Sequence, residues 1–150
     1  MRVAVFMPSF GDGGVERMLV NLSGGLVREG LAVDFLTPAN RQPYLDRLDE
    51  RVARVTLGRS GLLGVQPRLV RYLRAARPDF VLCGKDRAGR AALLARRLSG
   101  HDFRLVMRAG TTISERLAHR SAFTRMRDRA LIRATCRAAA AVVGNSQGVV

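Results

Sequence analysis

Lysine is almost missing from this chain. Lys85 is the single lysine among 26 basic residues, which face 12 acids, so arginine supplies nearly all of a formal net charge of +14. A GC-rich genome favours arginine codons, which accounts for the choice of base but not for the excess of bases over acids. That excess predicts attraction to something anionic: a bilayer surface, nucleic acid, a sugar phosphate or an acidic protein segment. Tryptophan is absent and tyrosine occurs twice, too few rings for the stacking platforms of single-strand nucleic-acid binders. The two cysteines, Cys83 and Cys136, lie far apart and outside any Cys-x-x-Cys or Cys/His cluster. This argues against a thiolate metal site and for reduced thiols in a cytosolic protein. His101 and His119 are likewise isolated and read as surface or packing residues. No apolar run approaches the ~20 residues that cross a bilayer. The run after Arg2 stops at Pro8, too short for a secretory leader.

What is present is an alternation of short apolar runs with helical patterns. At 150 residues the chain has the length of one domain with a single sizeable core. Val3–Met7, Leu31–Thr37, Val52–Leu57, Phe80–Cys83, Phe103–Met107 and Ala140–Gly144 read as six strands. Helices are expected from Val15 to about Arg28, briefly around Tyr44–Leu48, over Pro67–Arg77 and over Ala88–Leu98, with a long helical region from about Ser114 to Ala139. The pair Gly24-Gly25 lies inside the first helix, where each glycine costs about 1 kcal/mol relative to alanine; close packing on the sheet would explain it. Continuously apolar strands that alternate with helices predict an α/β fold, a doubly wound, mainly parallel sheet with helices on both faces. The expectation is one Rossmann-like domain over residues 1–150.

The stretch that organises this domain is Pro8-Ser9-Phe10-Gly11-Asp12-Gly13-Gly14-Val15-Glu16-Arg17. A strand ends, a glycine-rich loop follows, and a helix with Val15, Met18, Leu19, Leu22 and Leu26 on one face begins. Such a loop either presents bare N–H groups to an anion at the positive end of the helix dipole or simply turns an ordinary corner. Ligands of doubly wound sheets lie outside the carboxyl ends of the strands. That puts residues 11–17, 84–87 and 108–112 on one rim. A dinucleotide fingerprint fits poorly. Glu16 stands where its third glycine would be, and the second strand ends in Thr37-Pro38 rather than in an acid.

Gly-Asp-Gly-Gly-Val-Glu-Arg after a first strand, with a second strand ending in Thr37-Pro38, resembles the opening of family-four retaining glycosyltransferases. Arg77-Pro78-Asp79-Phe80-Val81-Leu82 is similar to that family's RPDVV strand, and residues 140–149 to its ADAVVANSEGV strand and turn. The resemblance implies the N-terminal, acceptor-side half of an enzyme with two facing Rossmann-like domains. The C-terminal donor-binding domain, with most nucleotide-sugar contacts, is expected to be absent from these 150 residues. It would be supplied by a longer reading frame or a partner chain, and this half alone is expected to be inactive. By resemblance, Gly13 and Gly14 approach the donor diphosphate. Arg108 falls where many members carry a histidine near the reacting sugar; always protonated, it holds an oxyanion rather than acting as a base. Lys85, Asp86, Arg87, Gly110 and Thr111 are candidate acceptor contacts, with an ordinary charged turn as the alternative for the first three. Glu16 reads as a first-turn acid favoured by the dipole. The implied reaction transfers a sugar from a nucleotide donor to a glycan or lipid-linked acceptor with retention. No metal or other cofactor is expected. The setting implied is bacterial polysaccharide biosynthesis, in the cytoplasm or peripherally at the inner membrane face.

Arg125, Arg129, Arg133 and Arg137 recur every four residues and form one helical stripe, with Phe123, Met126, Ala130 and Ala134 on another face. This pattern suits a basic amphipathic helix on an anionic membrane, or an ordinary solvated outer face. The alternative to a transferase is a non-catalytic basic module that binds a phosphorylated ligand, nucleic acid or a partner chain. Nucleic acid is disfavoured, since aromatics are few and no reader motif is present.

Overall fold

The computed structural model describes residues 1–9, 13–38, 44–58, 61, 63–109 and 122–144. Six strands, β1 (Arg2–Phe6), β2 (Ala32–Thr37), β3 (Ala53–Thr56), β4 (Phe80–Cys83), β5 (Arg104–Ala109) and β6 (Ala141–Gly144), alternate with four described helices. These are α1 (Gly14–Arg28), α2 (Gln66–Ala76), α3 (Asp86–Ser99) and α4 (Ala122–Ala138), and a 3-10 turn at Leu45–Arg47 precedes β3. The sheet order is β3-β2-β1-β4-β5-β6, and every neighbouring pair is parallel. This is the doubly wound, Rossmann-like domain that the sequence predicts.

The strands are apolar throughout because both faces of the sheet are covered. Along β1, Ala4 and Phe6 enter one core with Leu36, Leu69, Leu73, Leu105 and Met107. Val3 and Val5 enter the other with Leu19, Val20, Phe35 and Leu82. Residues of α2 and α3 fill the first core and α1 fills the second. Glu29 caps α1 after Arg28, and Gly30 follows at φ +81. Gly100 closes α3 in the left-handed region, where an L side chain would be strained.

Two boundaries and one packing contact are the differences from the sequence expectation that bear on the site. α3 starts at Asp86 rather than Ala88, because the Lys85 carbonyl accepts the N–H groups of Ala88 and Gly89 at 3.0 and 3.2 Å and an aspartate in the first turn suits the dipole. β5 runs on through Ala109, because β6 extends the ladder with Arg108 opposite Val143 and Ala109 opposite Gly144. A Cβ on Gly24 would stand 3.5 Å from Arg28 Nη1 and 3.6 Å from Asp49 Cβ, so this glycine faces its own helix and the turn before β3 rather than the sheet.

Candidate functional site

Chain direction reverses across the sheet between β1 and β4: from β1 the chain moves outward to β2 and β3, then returns to β4 and continues the other way. The crevice at the carboxyl ends of these two strands is the switch point where such folds receive ligands. α1 opens on it from one side. Gly13 is its N-cap, in extended conformation, and Gly14 its first residue. Among the described residues, nothing lies within 4 Å of where a Gly14 Cβ would stand.

From the other side comes β4 and its turn into α3. A Cβ on Gly84 would stand 2.8 Å from Leu19 Cδ1 and 3.0 Å from Val15 Cγ1. The end of β4 therefore meets the first turns of α1 at a distance that only glycine allows. The sequence reading names Gly84 only as part of a turn. The signal was its place directly after an apolar strand, but the helix it touches is distant in sequence.

That close approach brings two charges together. Lys85 Nζ donates to Glu16 Oε1 at 2.6 Å, and the Glu16 carboxylate side chain is 3% exposed while the lysine is 41% exposed. Glu16 Oε2 lies 3.0 Å from the position of a Gly13 Cβ. The glutamate is thus a buried acid folded back against its own helix start. It is more than the first-turn acid the sequence suggests, and its charge is met by Lys85. A phosphate at Gly13-Gly14 would meet a compensated pair and not a bare carboxylate.

The other candidates divide. Asp86 pairs with Arg90 at 3.3 Å along α3, while Arg87 is exposed beside it. Arg108 is a half-buried β5 residue rather than a loop residue, on the strand next to β4 at the carboxyl edge. Gly110, Thr111 and His119 lie outside the described residues. Cys83, at the end of β4, is buried in the core; burial pushes its thiol well above the ordinary range, which keeps it protonated and unreactive. His101 is a packing residue, its Nε2 2.9 Å from the Pro78 carbonyl. Among the described residues no group of three or more His, Cys, Asp or Glu is placed to hold a metal ion, and no described helix is long and apolar enough to cross a membrane.

On α4, Arg129, Arg133 and Arg137 are exposed, as their spacing predicts; the Arg125 side chain is outside the described set. The helix docks through a third face. Met126, Ala130 and Ala134 are exposed, while Ile132 and Thr135 are buried. The reason is the glycine at position 89 of α3. A Cβ there would lie 3.0 Å from Thr135 Cγ2 and 2.3 Å from Met107 Sδ, so α4 docks on the side that carries Thr135.

The model of the family described as Glycosyltransferase Family 4 matches residues 12–150. No curated protein matches the sequence. Among solved structures, HepE from Anabaena in complex with UDP and glucose superposes with a TM-score of 0.71 at 18% identity, over 99% of this chain and 39% of that one. Sucrose-phosphate synthase from Thermosynechococcus elongatus gives 0.67 at 16% identity, over 94% and 41%. The lipopolysaccharide outer core galactosyltransferase WaaB in its apo form gives 0.63 at 16% identity, over 99% and 40%. The chain thus spans about two-fifths of the length of these structures, and at such identities they attest the fold.

Proposed function

Since the chain belongs to glycosyltransferase family 4, we propose that it is the acceptor-side Rossmann-like domain of an enzyme that moves a sugar from a nucleotide-sugar donor to a glycan or lipid-linked acceptor with retention. The observation that carries this reading is the switch-point crevice, where the glycine-opened start of α1 meets the Lys85 turn. The neighbour HepE is solved with UDP and glucose, the class of ligand that this reading assigns to the complete enzyme.

In this reading the backbone at Gly13 and Gly14 faces the donor diphosphate, where the α1 dipole stabilises the charge that develops on the leaving group. Arg108, at the carboxyl end of β5, holds an oxyanion of donor or acceptor in its planar fork. Arg87, with Gly110 and Thr111, serves the acceptor, and Asp86 orders the turn through Arg90. The donor pocket belongs to a C-terminal domain or partner chain, so the 150 residues alone do not turn over. No metal takes part in this scheme. The enzyme works in the cytoplasm, with Arg129, Arg133 and Arg137 facing an anionic membrane surface that carries a lipid-linked acceptor.

The test is a transfer assay of the full-length gene product with radiolabelled nucleotide sugars and a membrane lipid extract, followed by NMR of the anomeric centre in the product. Labelled lipid or glycan with the donor's configuration is expected; release of free sugar only, or an inverted product, overturns the reading. The exposed arginines favour one rival, a basic module that holds a polyanion without catalysis. That rival predicts affinity for DNA that falls steeply with salt and no transfer under any condition.

A further inference from the structure

The acid in the candidate diphosphate site has a use that its charge alone does not suggest. Glu16 belongs to the helix whose first turn offers Gly13 and Gly14, and Lys85 belongs to the turn assigned to the acceptor side. The two residues are 69 positions apart and meet at 2.6 Å. The glutamate side chain is buried, while the lysine side chain is partly exposed. A lysine has four rotatable side-chain bonds and a compact charge. Without an anchor it would sample solvent, and this one is anchored by a buried acid.

We propose that Glu16 is a positioning residue: its buried carboxylate holds the Lys85 ammonium at the mouth of the switch-point crevice, next to Gly13, so that this single lysine meets the diphosphate of the leaving nucleotide. The geometry supports this in three ways. Glu16 Oε2 rests 3.0 Å from the Gly13 Cβ position while Oε1 takes Lys85, so one carboxylate spans the glycine turn and the cation. Gly84 allows the β4 turn to approach α1 closely enough for the pair to form. The Lys85 carbonyl accepts two N–H groups of α3, which fixes the lysine backbone while its side chain reaches across. The lysine therefore has two anionic neighbours in the loaded site, Glu16 behind it and the diphosphate before it. The inference rests on the donor-side reading of Gly13 and Gly14 given above.

Simple charge counting and the positioning role predict opposite results. Removal of a carboxylate from an anion site should tighten anion binding if only net charge matters. If Glu16 positions Lys85, Glu16→Gln weakens it, because the cation is released. The probe is inorganic pyrophosphate, titrated by calorimetry into the full-length gene product, with the side-chain NMR signal of Lys85 as a second readout. Lys85 is the only lysine in these 150 residues, and its resonance in the lysine-labelled full-length product is the one that Lys85→Met removes. The expected result is a loss of about tenfold in pyrophosphate affinity for Glu16→Gln and a Lys85 resonance that collapses toward the position of a solvated lysine. Lys85→Met should lose about the same factor, and the double variant no more than Lys85→Met alone. If Glu16→Gln does not fold, Lys85→Met decides the matter: unchanged affinity overturns the proposal. If the wild-type protein binds pyrophosphate and Glu16→Gln binds it equally or more tightly, the positioning role alone falls. If the wild-type protein does not bind pyrophosphate, the donor-side reading falls and takes this inference with it.

Discussion

The two ends of the parallel sheet are built on different principles. At the amino ends the strands are tied together by local polar contacts. The Arg2 N–H donates to Asp79 Oδ2 at 2.6 Å, Asp79 N–H donates back to the Arg2 carbonyl, and Arg104 N–H donates to the Asp79 carbonyl. Tyr72 Oη donates to Asp34 at 2.5 Å, with Arg2 at 3.8 Å from the same carboxylate. At the carboxyl ends of β1 and β4, among the described residues, close approach is added to backbone ties: Met7 N–H donates to the Leu36 carbonyl and Gly61 N–H to the Pro8 carbonyl, a Cβ on Gly84 would stand 2.8 Å from Leu19 Cδ1 and 3.0 Å from Val15 Cγ1, and the ion pair of Glu16 with Lys85 joins α1 to the α3 turn. An edge held by many small contacts can lose one of them and keep its shape. The fit around Gly84 has no such slack, since any side chain there would run into Leu19 and Val15.

The largest break of this contrast is at the carboxyl end. Leu19 is fully buried, so Leu19→Ala should cost about 2–5 kcal/mol. Gly84→Ala should cost about 1–3 kcal/mol by overpacking. Because the new methyl would fall on Leu19 Cδ1, truncation of that leucine opens space for it, and the double variant should cost clearly less than the sum. Urea unfolding of the four proteins measures the coupling; strict additivity would mean that the end of β4 relaxes away from α1 at little cost.

A single tie at the amino end should matter less. Tyr72→Phe removes the donor to Asp34 and should cost about 1–2 kcal/mol. It should also change the response to alkali. Burial, reinforced by the hydrogen bond to Asp34, pushes the Tyr72 phenol above its usual value. A group whose pKa is raised on folding contributes fully below the unfolded value, about 10, and its contribution erodes as pH rises beyond it. Urea midpoints of the wild-type protein should therefore fall between pH 9.5 and 11 (about the range of a free phenol) more steeply than those of Tyr72→Phe. Parallel curves would show that Tyr72 ionises in the folded state without penalty.

Regular structure was legible because this fold writes its pattern locally. β4 begins and ends where its apolar run does, and each strand is bounded by a proline, glycine or charged turn. What escaped depends on contacts distant in sequence. Arg108 reads as a loop residue because an arginine after Met107 looks like the end of an apolar run, yet pairing with β6 draws it into the ladder. The inward face of α4, with Ile132 and Thr135, carries no marker in a helix dominated by arginine and alanine, because close approach to Gly89 on another element fixes it. The glycine loop and its place on the rim were visible. The partner of Glu16 was not, since nothing in residues 13–17 points to a lysine in the α3 turn. Within the candidate site, spacing gave the backbone features and tertiary approach gave the ion pair.

The smallest effect sharpens the same contrast through a second ion pair, at the amino end. Asp49 and Arg51 are two residues apart in the turn before β3. Asp49 Oδ1 accepts both the Arg51 main-chain N–H and its Nε at 3.0 Å, and Oδ2 takes Nη2 at 2.9 Å. These bonds, the side-chain one foremost, hold the Asp49 carboxyl down at about 2. A lowered carboxyl contributes above its unfolded value and loses that contribution as pH falls through the folded one, so the window lies from about pH 4 down to about 2. Carboxyl NMR should place the Asp49 midpoint near 2 in the wild-type protein and return it toward an ordinary aspartate value in Arg51→Ala. Stability at neutral pH should nevertheless stay close to that of the wild type, because solvent screens the pair and the turn keeps its backbone bond from Val52 N–H to the Asp49 carbonyl at 2.9 Å. Here a large local shift accompanies a small global effect. A clear loss would mean that Asp49, which stands where a Cβ on Gly24 would touch it, fixes the last turns of α1, and the amino end would then be as unforgiving as the fit around Gly84.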